Sequence, residues 1–326
     1  MHIYRELLSK GDPDGGDEVE RDKVAILIIN WNGKEDTLEC IRSLQEQDYP
    51  ACEIIVIDNG SIDGSADAFR AIEPPINLIE SEKNLGFAGG INLGVTYAME
   101  HGMPYTLIYN NDTIADPRMV RSLVEILESD PTVGIVTGKV YDYYIPDRLL
   151  VVGKKINFST GRMFNEGYSE TDRGQHDEIR EYSYIDGVFW LSRTEVFQTV
   201  GFFDTSYFYQ FEEVDFCARA NKHYRILYTP HAKIWHKGGK SVGGRKSPTE
   251  VYYFARNKFI FMRRYATQRQ FLTFLLHQVL VDNPRELGGA LIKGRFNTLL
   301  PQIRGVADGV RKAKMESPSI PGKYGG

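Results

Sequence analysis

Polar side chains follow three short apolar runs in the first third of this sequence. Asn30-Trp31-Asn32 come after VAILII, Asp58-Asn59 come after EIIVI, and Asn110-Asn111-Asp112 come after YTLIY. Carboxylate and amide groups hydrogen-bond to nucleobases and sugars, and carboxylates also bind divalent cations. Any one of these segments could be an ordinary loop. Together they predict a ligand site, provided that the three runs are neighbouring strands.

Two further groups could take part in proton or metal chemistry. Glu212-Glu213-Val214-Asp215 begin a predicted helix, where the helix dipole favours carboxylates for purely structural reasons. A carboxylate in a cleft can instead act as a general base toward a hydroxyl group. His236 follows the apolar run KIW, where it is either a metal ligand or a hydrogen-bonded histidine at a strand end.

The elements that would position these residues alternate from Val24 onward. The runs VAILII, EIIVID, INLIE, YTLIY and VGIVT are typical of strands, and the segments between them carry apolar residues at helical spacing. Asp116-Pro117 predicts a helix start, and residues 139–182 predict hairpins and loops. Repeated strand and helix units predict an α/β fold with a mostly parallel sheet and helices on both faces. Ligands bind such a sheet at the carboxyl ends of its strands.

The glycines argue against one class of nucleotide-binding protein. The loop after the first strand contains a single glycine, Gly33, and lacks the G-x-G-x-x-G turn of a dinucleotide-binding fold. An NAD-dependent dehydrogenase is therefore disfavoured. The segment NLGFAGGINLG places Gly86, Gly89, Gly90 and Gly94 just before or within a predicted helix. It is either an anion-accommodating helix start or a tight entry turn.

Composition and charge place the chain among ordinary folded proteins with one unusual end. The 326 residues are 42% hydrophobic and 25% charged, and the three scattered cysteines predict neither a disulfide framework nor a zinc site. Residues 1–21 are acidic and glycine-rich, so we expect a flexible tail. Residues 237–326 carry 17 basic and 5 acidic residues, whereas the rest of the chain has a net charge of −17. This imbalance predicts an anionic partner for the C-terminal part.

Six segments in order carry a resemblance to a known family. INWNG, VIDNGSIDGS, NLGFAGGINLG, YNNDT, YQFEEVDFCARA and ILYTPHAKIWHKGG resemble family 2 glycosyltransferases of the GT-A fold, and they are most similar to the rhamnosyltransferase-like branch. The resemblance covers roughly residues 23 to 265. It implies an inverting, metal-dependent glycosyltransferase that moves a sugar, with rhamnose from a dTDP donor as the first candidate. The acceptor would be a hydroxyl group of a glycan or of a lipid-linked molecule.

The resemblance also implies where the donor binds. Trp31 would pack beside the nucleobase, and Asp58 and Asn59 would hydrogen-bond to it, although many relatives have Asp in place of Asn59. The glycine-rich segment would face the ribose and the sugar of the donor. The donor-binding residues predicted on this basis are Asn30, Trp31, Asn32, Asp58, Asn59, Asn84, Gly89, Asn92, Asn111 and Asp112.

The remaining site residues follow from the same resemblance. The D-x-D metal motif of the family reads Asn110-Asn111-Asp112 here, so Asp112 and His236 are the predicted ligands of Mg²⁺ or Mn²⁺. Glu213 is the predicted catalytic base. The predicted acceptor side comprises Asp186, Gly187, Trp190 and Asp215. Trp190 could stack on a sugar or belong to the core, and Asp215 could also be structural.

We therefore predict three parts: the tail 1–21, a GT-A domain over residues 22–245, and a basic helical extension over residues 246–326. The run FLTFLLHQVLV in the extension is too short to span a bilayer. An amphipathic helix that binds an anionic membrane surface explains this run better than binding to nucleic acid does, because Leu and Phe contribute little to phosphate binding. We expect a cytoplasmic protein that is peripheral at the inner face of the cell membrane. The alternative function is a nucleotide-sugar or carbohydrate-binding module without turnover.

Overall fold

The computed structural model describes residues 22–238 and 247–315. The predicted tail, residues 1–21, lies outside the described residues. So do residues 239–246, which contain the predicted domain boundary, and residues 316–326.

The elements of the first part of the chain alternate as predicted. They are β1 (Val24–Asn30), α1 (Lys34–Gln45), β2 (Cys52–Asp58), α2 (Ser65–Arg70), β3 (Asn77–Glu80), α3 (Gly86–Glu100), β4 (Tyr105–Asn110), β5 (Thr113–Ala115), α4 (Met119–Ser129) and β6 (Val133–Asp142). One helix start differs from the prediction. The Asp116 carboxylate accepts from the backbone N–H of Arg118, which forms a turn before α4, so the helix begins at Met119 rather than at Pro117.

The middle of the chain is richer in short strands. It contains β7 (Leu149–Val151), β8 (Gly153–Asn157), β9 (Arg162–Glu166), β10 (Arg180–Glu181), β11 (Phe189–Arg193), α5 (Glu195–Val200), α6 (Glu212–Ala220) and β12 (Arg225–His236). The C-terminal part is helical: α7 (Pro248–Tyr265), α8 (Gln268–His277), a π-helical turn (Gln278–Asp282), α9 (Asn283–Ile292), a 3₁₀ turn (Phe296–Thr298) and α10 (Leu299–Met315).

One large sheet organises these elements, in the order β10-β12-β6-β11-β4-β1-β2-β3. β1 pairs in parallel with both β2 and β4, whereas β11 runs antiparallel between β4 and β6. In the β1–β2 pair Asn30 lies opposite Asp58, so both strands end at the same level. The predicted mostly parallel α/β fold is confirmed, and its polar strand ends share one edge.

Side chains that alternate along β1 divide the core into two layers. Ala25 and Leu27 pack on the face covered by α3, together with Val95. Ile26 and Ile28 pack on the opposite face, with Ile41 of α1. A strand buried on both faces reads as a continuous apolar run, which explains the sequence VAILII.

Helix α7 belongs to the main core and not to a separate extension. Phe261 is fully buried, and its ring centroid lies 6.1 Å from that of Phe158 and 5.7 Å from that of Phe211. Helix α10 in turn packs closely on α7, where a Cβ atom on Gly305 would lie 2.5 Å from the Tyr252 carbonyl oxygen. The predicted division at residues 245 and 246 therefore does not separate two cores, because the apolar face of α7 is buried in the first one.

We expect Phe261→Ala to lower the free energy of unfolding by about 3–5 kcal/mol, because it leaves a cavity in the core. The matched control is Phe296→Ala, since Phe296 is 65% exposed and should change stability by less than about 0.5 kcal/mol. Urea unfolding of the two variants measures the difference. Equal, small losses would contradict the assignment of α7 to the core.

Candidate active site

A cleft of about 690 Å³ opens where β1, β2 and β4 end. Its volume lies within the usual range for small-molecule sites, roughly 300 to 1,000 Å³. The cleft lining includes these sequence-predicted residues: Trp31, Asn59, Asn84, Asn111, Asp112, Asp186, Gly187, Glu213 and His236. The cleft therefore lies at the carboxyl ends of the strands, where the sequence predicted a ligand site.

At one end of the cleft an exposed ring lies above a buried polar network. Trp31 lines the cleft and is 39% exposed, so its ring is available for stacking. Asn30 is fully buried, with Nδ2 donating to Asp58 Oδ1 at 2.8 Å and Oδ1 accepting from Thr37 Oγ1 at 2.9 Å. Neither Asn30 nor Asp58 is among the residues that line the cleft in this structure, where the two side chains bind each other, so their contact with the donor stays a prediction.

Asn32 is likewise not among the residues that line the cleft. Its backbone φ is 52°, and its Oδ1 accepts from the backbone N–H of Ile62 at 2.9 Å. Asn32 therefore joins two loops outside the cleft.

Asn59 shapes the wall of the cleft through all of its polar atoms. Its Oδ1 accepts from the Leu85 N–H at 2.9 Å, and its Nδ2 donates to Asn84 Oδ1 at 3.0 Å and to the Gly86 carbonyl at 3.1 Å. A carboxylate at this position could not donate to either acceptor. This requirement gives a physical reason for an amide at position 59.

Gly89 and Asn92 both lie on α3. Both were predicted to face the donor, but only Gly86 and Phe87, in the first turn of the helix, line the cleft. Asn92 instead donates to the Phe203 carbonyl at 3.0 Å and accepts from the Phe203 N–H at 3.1 Å. Neither Gly89 nor Asn92 is among the cleft-lining residues in this structure, so their contact with the donor stays a prediction.

The two predicted metal ligands are in contact. Asp112 Oδ1 lies 3.0 Å from His236 Nε2, because β12 pairs with β5 directly after the Asn110-Asn111-Asp112 segment. Burial by itself lowers the pKa of His236, but the hydrogen bond and the charge of Asp112 outweigh burial and raise this pKa. Burial raises the pKa of Asp112, and the hydrogen bond from His236 lowers it overall. The two groups form an ion pair when His236 is protonated.

The spacing of these atoms fits a divalent cation. Two ligands at about 2.1 Å from an octahedral ion, in adjacent positions, lie about 3.0 Å apart. No cluster of three or more His, Cys, Asp or Glu side chains suited to a metal occurs among the residues that the structure describes. Asp112 and His236 could therefore hold Mg²⁺ or Mn²⁺ only together with substrate oxygens and water, and the ion would displace the imidazole proton.

Glu213 lies in the cleft beside a lysine that the sequence analysis missed. Lys154 Nζ, on β8, is 3.1 Å from Glu213 Oε1 and 3.1 Å from Asp186 Oδ2. Burial acts to lower the pKa of Lys154, but the two carboxylates outweigh burial and raise this pKa, so the ammonium stays charged. No local motif marks Lys154, because its role depends on how the β8–β9 hairpin packs.

Glu212 provides a second acid of different character. It lines the cleft, is almost fully buried, and its Oε2 has no hydrogen-bond partner in the structure. Burial, and then the charge of Glu213, raise the pKa of Glu212 well above its ordinary value. The adjacent acids therefore differ: burial favours the uncharged form of Glu212, whereas Glu213 is paired with Lys154.

The predicted acceptor side is only partly assembled. A Cβ atom on Gly187 would lie 3.4 Å from Glu213 Cγ, so the glycine leaves room beside that side chain. Trp190 is fully buried and packs on Phe197 and Phe216, which corrects its placement on the acceptor side in favour of the core. Its side chain projects from β11 into the layer covered by α5 and α6.

Asp215 is likewise structural. It accepts from Tyr265 Oη at 2.8 Å and from Arg219 Nε at 3.0 Å, and it lies 3.2 Å from Arg264 Nη1. Residues two apart on a helix do not face the same way, so Asp215 points into the core when Glu213 faces the cleft.

Three residues before α6 form a strained turn that the sequence did not reveal. Phe208, Gln210 and Phe211 have φ values of 62°, 64° and 75°, although none is glycine. Such conformations cost of order 1–3 kcal/mol each and cluster at functional sites. Phe208, Tyr209 and Gln210 line the cleft. The segment YFYQF lacks the glycines that usually indicate a turn of this kind.

Comparison with known proteins identifies the family. Residues 25–201, more than half of the chain, match the family model described as glycosyl transferase family 2. The chain belongs to glycosyltransferase family 2. This family 2 glycosyltransferase is 26% identical over 245 residues to the low-salt glycan biosynthesis hexosyltransferase Agl10 of Haloferax volcanii, covering 73% of this chain and 75% of the relative.

Two more proteins extend the comparison. A poly-beta-1,6-N-acetyl-D-glucosamine synthase of Staphylococcus epidermidis is 24% identical over 226 residues, which are 68% of this glycosyltransferase but only 51% of the synthase. The mannosyltransferase PcManGT of Pyrobaculum calidifontis, solved with GDP-Man and Mn²⁺, matches with a TM-score of 0.55 and 16% identity over 95% of this chain and 93% of that one. The predicted GT-A fold is confirmed.

Proposed function

We propose that this glycosyltransferase is an inverting, metal-dependent enzyme that transfers a hexose from a nucleotide-diphosphate sugar to a hydroxyl group of a glycan or a lipid-linked acceptor. The observation that carries the proposal is one cleft that contains Glu213, the Asp112–His236 pair and the exposed face of Trp31. These groups supply a base, a cation site and a stacking surface for a nucleobase.

The reaction is a single displacement at the anomeric carbon of the donor. Glu213 accepts the proton of the acceptor hydroxyl while the acceptor oxygen forms a bond to the anomeric carbon. The bond between that carbon and the diphosphate oxygen breaks, and its electron pair leaves with the nucleotide diphosphate. Attack opposite the leaving group inverts the configuration. A divalent ion at Asp112 and His236 would offset the charge of the diphosphate.

The identity of the transferred sugar and that of the acceptor are also proposals. The relatives include a hexosyltransferase and an N-acetyl-D-glucosamine polymer synthase. Rhamnose from a dTDP donor, suggested by the resemblance of the motifs, remains our candidate. Stability assays with a panel of nucleotide sugars would rank the donors, because a bound ligand raises apparent stability by mass action.

A nucleotide-sugar-binding module without turnover is the second candidate, and one observation favours it. Asn110 stands where the metal motif has its first carboxylate, so one possible metal ligand is missing. Release of nucleotide diphosphate from the donor in the presence of Mn²⁺ separates the two candidates. Binding without release would support the module.

We expect Glu213→Gln to lower the transfer rate by about 10²- to 10⁴-fold, because the amide keeps the shape but cannot accept the proton. Donor binding should persist. The control is Asp215→Asn, which lies two residues away but outside the cleft and should reduce stability more than kcat. An active Glu213→Gln variant beside an inactive, folded Asp215→Asn variant would mean that the base is assigned to the wrong carboxylate.

Metal dependence gives a separate prediction. Asp112→Asn and His236→Ala should each remove most of the transfer activity, and a chelator should do the same to the unaltered protein until Mn²⁺ or Mg²⁺ is added back. The matched control is His231→Ala, an exposed histidine in the same strand. Full activity in excess chelator would rule out the proposed ion.

We also propose that the C-terminal helices attach the enzyme to an anionic membrane surface at the inner face of the cell membrane. This part of the chain exposes large apolar side chains, here together called the apolar surface: Leu272, Leu276, Val279, Leu280, Ile292, Phe296, Leu300 and Ile303. Exposed basic residues on the same helices are Arg269, Arg285, Lys293 and Arg304. Within the described ranges, no helix has the length and apolar character needed to cross a membrane. Apolar and basic side chains together are typical of an interfacial helix, and Leu and Phe do little for nucleic-acid binding.

We expect the protein to co-sediment with phosphatidylglycerol vesicles at low salt and much less with phosphatidylcholine vesicles. A Leu276→Glu/Leu280→Glu double variant should lose this binding, because it places charge in the apolar surface. Ile62→Glu is the control, since Ile62 is also strongly exposed but lies in the loop after β2. Failure to bind anionic vesicles would remove the membrane proposal.

A further inference from the structure

The strained segment before α6, residues 207–211, is here called the 207–211 turn. The side chain of Asn257, on α7, lies within hydrogen-bond distance of three backbone carbonyls of this turn. The side chain is fully buried, and its Nδ2 lies 2.9 Å from the Tyr207 carbonyl oxygen, 2.8 Å from that of Tyr209 and 2.9 Å from that of Gln210. The two N–H donors of one amide group thus serve three backbone acceptors, so at least one N–H is shared between two carbonyls. A group without donors at this position would leave three buried carbonyls facing one another.

The turn requires such support because its own sequence does not favour its conformation. Three of its residues, Phe208, Gln210 and Phe211, occupy the left-handed region that glycine normally fills. A short bond from the Tyr209 N–H to the Tyr207 carbonyl, 2.7 Å long, closes the turn around Phe208. A backbone with this strain persists only when surrounding groups fix it.

The turn leads directly into the acids of the cleft. Phe211 is the residue before α6, and Glu212 and Glu213 form the first turn of that helix. Two aromatic residues of α7 pack on the turn. The Tyr253 ring stacks on that of Phe208, with 5.1 Å between the centroids, and the Phe254 ring centroid lies 5.5 Å from that of Phe211. A change in the turn would therefore rotate or shift the start of α6.

We propose that Asn257 is a positioning residue for Glu213. Its carboxamide holds the 207–211 turn in the left-handed conformation that directs the first turn of α6 into the cleft. The inference rests on the proposed transferase function. It also makes α7, which lies outside the residues matched by the family model, part of the catalytic apparatus.

The test uses Asn257→Asp, which keeps the size but removes the donor, and Asn257→Ala. We expect kcat to fall about 10- to 100-fold, because small displacements of a catalytic group have effects of this size. The dissociation constant of the nucleoside diphosphate should stay within about twofold, since Trp31 follows β1, whereas the turn bonds to the start of α3, with the Phe87 N–H donating to the Phe208 carbonyl. Hydrogen exchange should increase across residues 207–213 and not in β1.

A glycine rescue separates positioning from general support. Gln210→Gly places a residue that tolerates positive φ in the turn, so the Gln210→Gly/Asn257→Ala double variant should regain part of the kcat lost by Asn257→Ala, relative to Gln210→Gly alone. Asn92→Ala is the matched control, because Asn92 also binds a loop backbone but does not line the cleft. It should lose stability and keep kcat.

Each outcome decides the proposal. An unchanged kcat in folded Asn257 variants, or equal losses of kcat and nucleotide binding without glycine rescue, would overturn it. If the Asn257 variants do not fold, Tyr253→Leu loosens the same turn from the edge of α7 and should show the same drop in kcat with retained nucleotide binding; an unchanged kcat there would overturn the proposal. An inactive unaltered protein would instead reject the transferase function itself, while the exchange measurement would still report on the turn.

Discussion

The register of three parallel strands is the constraint on which the site depends. β1 lies between β2 and β4, and the backbone hydrogen bonds of each pair fix where the strands end. Because a parallel sheet aligns its carboxyl ends, Trp31, Asn59 and Asp112 reach one edge although they are far apart in sequence. A shift of one residue in the register of a strand would turn each of its side chains to the opposite face of the sheet, and the cleft would lose its lining.

Charge balance is the second condition that this edge must satisfy. Asp112, Asp186 and Glu213 place three carboxylates in one cleft, where burial makes uncompensated charge costly. His236, when protonated, pairs with Asp112, and the single ammonium of Lys154 is shared between Asp186 and Glu213. Among the residues that the structure describes, Glu212 has no hydrogen-bond partner at Oε2, and burial raises its pKa, which favours the uncharged form. The cost of burying these acids is therefore lowered in two ways, by pairing with basic side chains and, at Glu212, by burial that favours protonation.

The helical part of the chain has two roles on different helices. Helix α7 contributes Phe261 to the core and Asn257 to the turn before α6, so the catalytic edge of the sheet is held partly by a segment beyond the sheet. The later helices expose Leu276 and Leu280. Their apolar surface is the region that we propose for membrane contact, and α10 joins it to the core through its close packing on α7.

The sequence by itself determined the strands, the layers and the residues that follow each strand, because periodicity and local spacing depend on near neighbours. Local spacing placed Trp31 and Asp112 after strands, the resemblance to the family singled out Glu213 and His236, and all four line the cleft. Only the tertiary structure decided which way a side chain points within an element, and so it placed Asn92 and Trp190 outside the lining of the cleft. No local pattern indicated Lys154 or Asn257 for the same reason: their partners lie about 30 to 60 residues away in the sequence, on other packed elements.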